Sequence, residues 1–391
     1  MSAIHFGKWS LSLFAAIALA GCGGATSVDT PSSDASVGIN PLYRVVDTGQ
    51  VTCYDANGSE ISPPSRDEPF FGQDAQYAGV DFNFTDNGDG TVSDANTALM
   101  WQKTPSSQTY IWYSAAEYCG NLELAGYTDW RMPGVKELFS IENFSTGWPY
   151  SDQTNFDLAS GRITKDEQYW SSNHYVGETV EGGSDAAFGV NFVTGHIKAY
   201  PASAGGPIGE KYVRCVRGEK YGYNRFTDNG DGTITDGATS LMWAQSDYNI
   251  TMDWPSALDY AKNATIAGYS DWRLPNVKEL QSIVDYSRAP GAAESNATGP
   301  AIDPLFSCSA MTNEAGVQDY GYYWTSTSAR FNQDGPFYYA WYVAFGRAVN
   351  TQGEDFHGAG AVRFDTEVKA GPLGEGGERY YNYVRLVRDA N

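Results

Sequence analysis

The chain has 391 residues, 41% of them hydrophobic, enough to build two domains of ordinary size, each closing its own core, and too many for a disordered chain. A formal net charge of −22 excludes nucleic-acid binders as a class, because they need a basic footprint that displaces counterions. On whole-chain charge, anionic glycans and acidic lipid headgroups are disfavoured partners as well, and the acidity itself reads as solubility.

Residues 1–21 read as a signal peptide: His5 and Lys8 precede an apolar run, 11–20, that is too short to span a bilayer as a mature helix. The run ends in Leu19, Ala20, Gly21 and Cys22, which resembles the bacterial lipobox. That resemblance implies Cys22 as a lipidation site and the membrane as a partner through the N-terminal lipid. Gly23, where an aspartate is absent, points to the bacterial outer membrane, on its periplasmic or surface face. Residues 22–45, rich in Ser, Thr, Asp, Gly and Pro, read as a flexible tether.

Two domains follow, 46–219 with an N-terminal extension and 220–391 with loop insertions. Residues 84–102 read FTDNGDGTVSDANTALMWQ, and 226–244 read FTDNGDGTITDGATSLMWA. DWRMPGVKELFSI at 129–141 recurs as DWRLPNVKELQSI at 271–283, at the same offset of 142. A constant spacing between such blocks marks duplication of a folded unit. YWSS at 169–172 matches YWTS at 323–326, and YVRCVR at 212–217 matches YVRLVR at 383–388, at offsets of 154 and 171, so the second copy holds two insertions.

Within each copy the Asn-Gly-Asp-Gly turn predicts a β-hairpin. Helical spacing predicts a helix over 112–124 and 254–266, and a second after Pro133 and Pro275. Strands rich in Tyr, Trp, Phe and Val close the copy. The fold class is α+β, each copy a hairpin, two helices and a mainly antiparallel sheet with long loops.

Cys119, on the first helix of copy one, and Cys215, on its last strand, are replaced together by Ala261 and Leu386 in copy two. Joint loss is what a disulfide predicts, since one partner alone would leave a free thiol. By elimination Cys53 and Cys308 form a second candidate pair, for which spacing offers no geometric check.

The blocks FTDNGDGT, LMW, DWR, VKEL, YW[ST]S and YVRxVR, in this order in both copies, resemble the Lcl C-terminal domain family, named for a bacterial collagen-like adhesin. The resemblance covers residues 46–391. It implies a C-type lectin-like fold and a binding or adhesion role with a glycan or protein ligand of the envelope or cell surface. It implies no reaction, so the chain is expected not to be an enzyme. The sulfated-glycan binding for which the namesake is known fits poorly with the acidic chain, and the EPN, QPD and WND tripeptides of sugar-binding C-type lectins are absent. Two alternatives stand beside this reading: a structural envelope lipoprotein without a small ligand, and an enzyme of the formylglycine-generating type, which shares the lectin-like fold and uses a reactive cysteine pair.

Asp86, Asp89 and Asp94, repeated as Asp228, Asp231 and Asp236, crowd oxygen ligands into one turn, which suits calcium, though the spacing is not that of an EF-hand and no cofactor is required. The Asp-Trp-Arg trios at 129–131 and 271–273 read as ties between helix and sheet. His174, His196 and His357 have no counterparts in the other copy and no metal-ligand spacing. The variable half of copy two supplies Tyr338, Tyr339, Trp341, His357 and Arg363 as candidate ligand contacts, with the insertion between Phe345 and Tyr383 as the expected binding face.

Overall fold

The computed structural model describes residues 42–369 and 379–390. An N-terminal extension carries β1 (Cys53–Tyr54) and β2 (Glu60–Ile61). The first copy runs β3 (Phe84–Asp86), β4 (Thr91–Asp94), β5 (Leu99–Gln102), α1 (Trp112–Gly120), α2 (Val135–Ser140), β6 (Gln168–His174), β7 (Ala186–Asn191), β8 (Ile197–Pro201) and β9 (Val216–Arg217). The second repeats that order as β10 (Phe226–Asp228), β11 (Thr233–Asp236), β12 (Leu241–Ala244), α3 (Trp254–Asn263) and α4 (Val277–Ser282). An added pair, β13 (Ala310–Thr312) and β14 (Gln318–Tyr320), comes next, then β15 (Tyr322–Ala329), β16 (Tyr339–Ala344), β17 (Val362–Thr366) and β18 (Val387–Asp389). The result is mixed, mostly antiparallel sheet with few helices, in two tandem domains.

The two copies fold alike down to single residues. In both hairpins the first aspartate (Asp86, Asp228) accepts a hydrogen bond from a glycine N–H, and the second (Asp89, Asp231) accepts from the backbone and hydroxyl of the following threonine. Gly88 and Gly230 supply the left-handed φ of 73° that this turn demands. Ala125 and Ala267 share a φ of 54°, an unusual value for a side chain that carries a Cβ. The helices α2 and α4 start alike: Glu137 and Glu279 each accept from the backbone N–H three residues earlier, which caps the first turn. A side chain from the irregular part of the neighbouring strand, Asn173 or Thr327, accepts from Val135 or Val277.

The expected separate cores are replaced by a shared one. Strands from both copies form a six-stranded sheet in the order β15-β16-β17-β8-β7-β6, so equivalent strands lie at equal distances from the β17–β8 seam and an approximate two-fold axis runs through it. The described residues fall in one compact unit. One face of the sheet carries α2 and α4 together over a core drawn from both copies; on the other, α1 and α3 each cover their own half. The physical reason is that β8 and β17 would each be an unpaired edge alone, and pairing satisfies both. Lys136 of α2 donates to the Ser282 carbonyl at the end of α4 (2.6 Å), and Lys278 of α4 returns the contact to Ser140 at the end of α2 (2.8 Å). Cations at helix C-termini are favourably placed.

The N-terminal extension, expected to belong to the first domain, docks largely on the second. Gln50 and Ser328 exchange two hydrogen bonds, Thr327 donates to Asp74 (2.6 Å), Tyr54 stacks on Phe337 at 4.1 Å, and Phe70 packs near Trp254. The end of the expected tether is also held: the N–H groups of Leu42 and Tyr43 donate to the carbonyl of Ala238. Residues 1–41, Cys22 among them, lie outside the described residues.

Cys119 and Cys215 form the expected disulfide, with Cα atoms 5.6 Å apart. Cys53 and Cys308 do not pair. Cys53 is buried in β1 of the extension, while the Cys308 sulfur takes a contact from Arg385 at 3.4 Å. In copy two, Phe70 and Gly72 of the extension press on Trp254 and Leu258 of α3, so α3 is held by packing where α1 is held by a covalent bond. Replacing both Cys119 and Cys215 with Ala is expected to cost about 4 kcal/mol, the loop entropy of a closure of this length. Urea denaturation checks this; a loss below about 1 kcal/mol would mean that packing alone fixes α1.

Candidate functional site

A groove of about 560 Å³ opens along the seam between the copies. Lys198 on β8 sits opposite Gly189, and Arg363 on β17 opposite Tyr342; those partners face Trp170 and Trp324 in turn. Lys198 and Arg363 therefore hold equivalent places about the two-fold axis, and both line the groove. His196, just before β8, His357, from the second insertion of copy two, and Lys165, before β6, join them. Lys198 lies over the rings of Phe356 (4.2 Å) and Tyr200 (5.2 Å), and pairs with Glu181 at 2.9 Å. Lys165 lies over Phe331 at 5.5 Å.

Two lysines, an arginine and two histidines are among the residues that line the groove. Burial, then Arg363, Lys198 and His196, hold the His357 imidazole well below its ordinary pKa, so it is neutral at pH 7. Its Nδ1 is buried with no hydrogen-bond partner among the described residues. The segment that carries it is clasped against copy one: the His357 carbonyl accepts from Ala199 N–H, the Asp355 carbonyl from Val180 N–H, and Tyr175 donates to the Asp355 carboxyl at 2.6 Å.

Of the ligand contacts expected from sequence, the structure brings together His357 and Arg363 only. Trp341 is 0% exposed, packed on Phe144 and Tyr150 of copy one, and Tyr339 is 4% exposed, so both are core residues. Tyr338 is half-buried against Tyr339 and does not line the groove. Alternation on a strand buried on both faces explains the misplacement. The insertion after Phe345 is a clasp on copy one that also supplies His357 and Arg363 to the groove. Sequence reasoning missed Lys165 and Lys198 and set His196 aside for want of a counterpart and of metal-ligand spacing. One signal was available: Lys198 and Arg363 are basic at matching strand positions, hidden because the insertions break the register between the second halves.

The hairpin carboxylates do not converge on a cation. Asp86 pairs with Lys103 and Asp89 binds its own Thr91. Asp94 is buried and accepts from Asn96 and Thr97; Asp236 is buried and accepts from Asn224, Arg225 and Thr239. Asp228 and Asp231 close their own turn. Among the described residues no three His, Cys, Asp or Glu side chains form a group that could hold a metal ion. The Asp-Trp-Arg trios are ties, as expected. Arg131 grips Glu137 through two hydrogen bonds of 2.7 and 2.6 Å, Arg273 grips Glu279 likewise, and Asp129 and Asp271 pair with Arg217 and Arg388.

Two stretches, residues 90–217 and 232–388, match the family model of the Lcl C-terminal domain. The chain belongs to this family. No curated protein and no solved structure matches the chain. Each Lcl C-terminal domain begins in or just after the Asn-Gly-Asp-Gly turn and ends in the last strand, so the extension that straps copy two lies outside both. The groove draws Lys165, His196 and Lys198 from the first domain and His357 and Arg363 from the second. It is complete only where two Lcl C-terminal domains meet.

Proposed function

We propose that this chain is a lipid-anchored protein of the bacterial envelope that binds a glycan or protein ligand in the seam groove and catalyses no reaction. The cluster of Lys165, Lys198, Arg363 and two histidines, walled by aromatic rings, carries the reading, because convergent polar groups in an apolar-sided cleft are what ligand sites are built from. A C-type lectin-like character is supported by the long excursions between strands and by a disulfide from the first helix to the segment entering the last strand. Among the described residues two thiols are unpaired, yet burial pushes Cys53 up to about 11 and raises Cys308 also, which keeps both protonated and disfavours the formylglycine-generating chemistry. Cys22 is the proposed anchor, and the hairpin carboxylates, engaged in their own turns, support binding without calcium.

The test is a glycan and peptidoglycan array, probed with the full mature protein with calcium and with chelator, beside fractionation of cells expressing wild type and Cys22→Ser. Binding to a defined subset is expected in both buffers, at least tenfold weaker for Arg363→Gln, with Cys22→Ser leaving the membrane fraction. An array without any binder would favour a structural envelope role instead.

A further inference from the structure

We infer that the side chains of Lys136 and Asn224 become joined by an amide bond, once per chain, with Asp236 carrying the proton and ammonia leaving. This is a single event within the folded chain, not turnover of a substrate, and it is independent of the ligand reading above, since none of the three residues lines the seam groove.

The first observation is the contact itself. Lys136 Nζ, on α2, donates to Asn224 Oδ1 at 2.9 Å, one covalent bond short of the Cγ carbon that it attacks. The linker that carries Asn224 is laid directly on α2: Tyr221 N–H donates to Glu137 at 3.0 Å, and a Cβ on Gly222, whose φ is 91°, would stand 2.7 Å from the Lys136 Cβ. The fold therefore brings nucleophile and electrophile together before any reaction, which removes much of the entropic barrier.

The second observation is the acid beside them. Asp236 is 0% exposed, and its Oδ1 accepts from the N–H groups of Arg225 (2.8 Å) and Ala238 (2.9 Å). That anchorage turns Oδ2 onto Asn224 Nδ2 at 2.9 Å, the nitrogen that has to leave. The third is the comparison between copies. At the offset of 142, Lys278 stands for Lys136, Asp94 for Asp236 and Phe82 for Asn224. Lys278 Nζ lies over the Phe82 ring at 4.4 Å, so copy one presents lysine and acid to an inert ring and only the second arrangement can react.

Burial lowers Lys136 to about 8, against the pull of Asp236 and Asp285, which leaves about a tenth of the amines neutral at pH 7. The neutral Nζ adds to Cγ; Asp236 accepts a proton from Nζ and delivers it to Nδ2; the Cγ–Nδ2 bond breaks and ammonia departs through the cleft of about 520 Å³ that Lys136 and Asn224 line. The Ser282 carbonyl, which accepts from the ammonium now, accepts from the one N–H that the new amide keeps. A buried cation held by two neutral acceptors is thereby replaced by a neutral group, which relieves its desolvation.

Tryptic peptide mapping of the full mature protein tests the inference, because trypsin does not cut after an acylated lysine. A branched peptide joining residues 132–162 to 221–225, lighter than the two together by one ammonia, is expected from wild type. It is expected to vanish in Asn224→Ala and Lys136→Arg and to fall at least tenfold in Asp236→Asn, with thermal transitions reporting whether each variant folds. Cleavage after Lys136 with release of unmodified 221–225 from folded wild type, even after incubation at about pH 9 where the amine is neutral, overturns the bond. A second ammonia lost at Lys278 overturns the assignment to one site, and an undiminished yield in folded Asp236→Asn overturns the part given to Asp236.

Discussion

Trp341→Ala is expected to destabilise the folded chain by about 3–5 kcal/mol, the usual cost of emptying an aromatic site in a packed core, and to do so across both copies at once. The indole belongs to β16 of copy two, but it packs edge-to-face with Phe144 and Tyr150 of copy one, ring centroids 5.4 and 5.2 Å away, as well as with Phe364 at 5.3 Å. Gly195, in the turn before β8, has a φ of 73°, and a Cβ there would stand 2.7 Å from the same indole, so this part of the seam has no slack. Urea unfolding followed by tryptophan fluorescence and by far-ultraviolet circular dichroism should give one coincident transition in wild type and variant, with a lower midpoint in the variant. Two separated transitions, or a loss below about 1 kcal/mol, would mean that the copies are independent globules and that the groove between them is incidental.

That the seam escaped sequence reasoning has a physical cause. Repetition at a fixed offset identifies equivalent residues, so the hairpins, the helices after Pro133 and Pro275 and the Cys119–Cys215 pair were legible. Each is decided by local turn chemistry, by helical spacing or by a comparison between copies. Nothing comparable specifies which strand β8 will pair with, since Ile197 and Ala199 on one side and Val362 and Phe364 on the other form the same apolar alternation as any half-buried strand. The edges of two open sheets require cover, and tandem identical edges cover one another; that argument was available and points to a two-fold seam. The aromatic run at 338–342 was legible as strand but not as core, because a strand buried on both faces shows no polar side. The groove was hidden for a further reason. Whole-chain charge disfavoured every anionic partner, whereas charge acts over about a Debye length, and the five basic groups that meet at the seam come from three separate stretches of chain.

Between pH 4 and pH 9 the stability of this protein is expected to pass through a minimum near pH 7, the reverse of the common profile. Burial raises the Asp74 and Asp355 carboxyls to about 7, against hydrogen bonds from Thr327 and Tyr175 that pull them back down. Burial also raises Glu142 and Glu367 well above their ordinary value. An acid whose folded pKa lies above its unfolded value binds more protons when folded, so stability falls as pH rises from about 4 through about 7, by at most about 4 kcal/mol each for Asp74 and Asp355 at ~1.4 kcal/mol per pH unit. The buried lysines act in the opposite sense. Burial lowers Lys278 to about 7 and Lys136 and Lys211 to about 8, so the unfolded chain binds more protons from there up to about 10, and stability rises with pH over that window. The carboxylates that Arg217 and Arg388 hold low, Asp129 and Asp271, are exposed and titrate below this range. Urea midpoints at pH 5, 7 and 9 measure the curve, with Asp74→Asn flattening its acid limb and Lys278→Met its alkaline limb. Because Lys278 bonds the Ser140 carbonyl across the seam and Asp74 joins the N-terminal strap to β15, the alkaline limb reports on the contact between the copies and the acid limb on the docking of the strap. A maximum near neutrality would show that these groups are solvated, and that the interface built around them is looser than its hydrogen bonds imply.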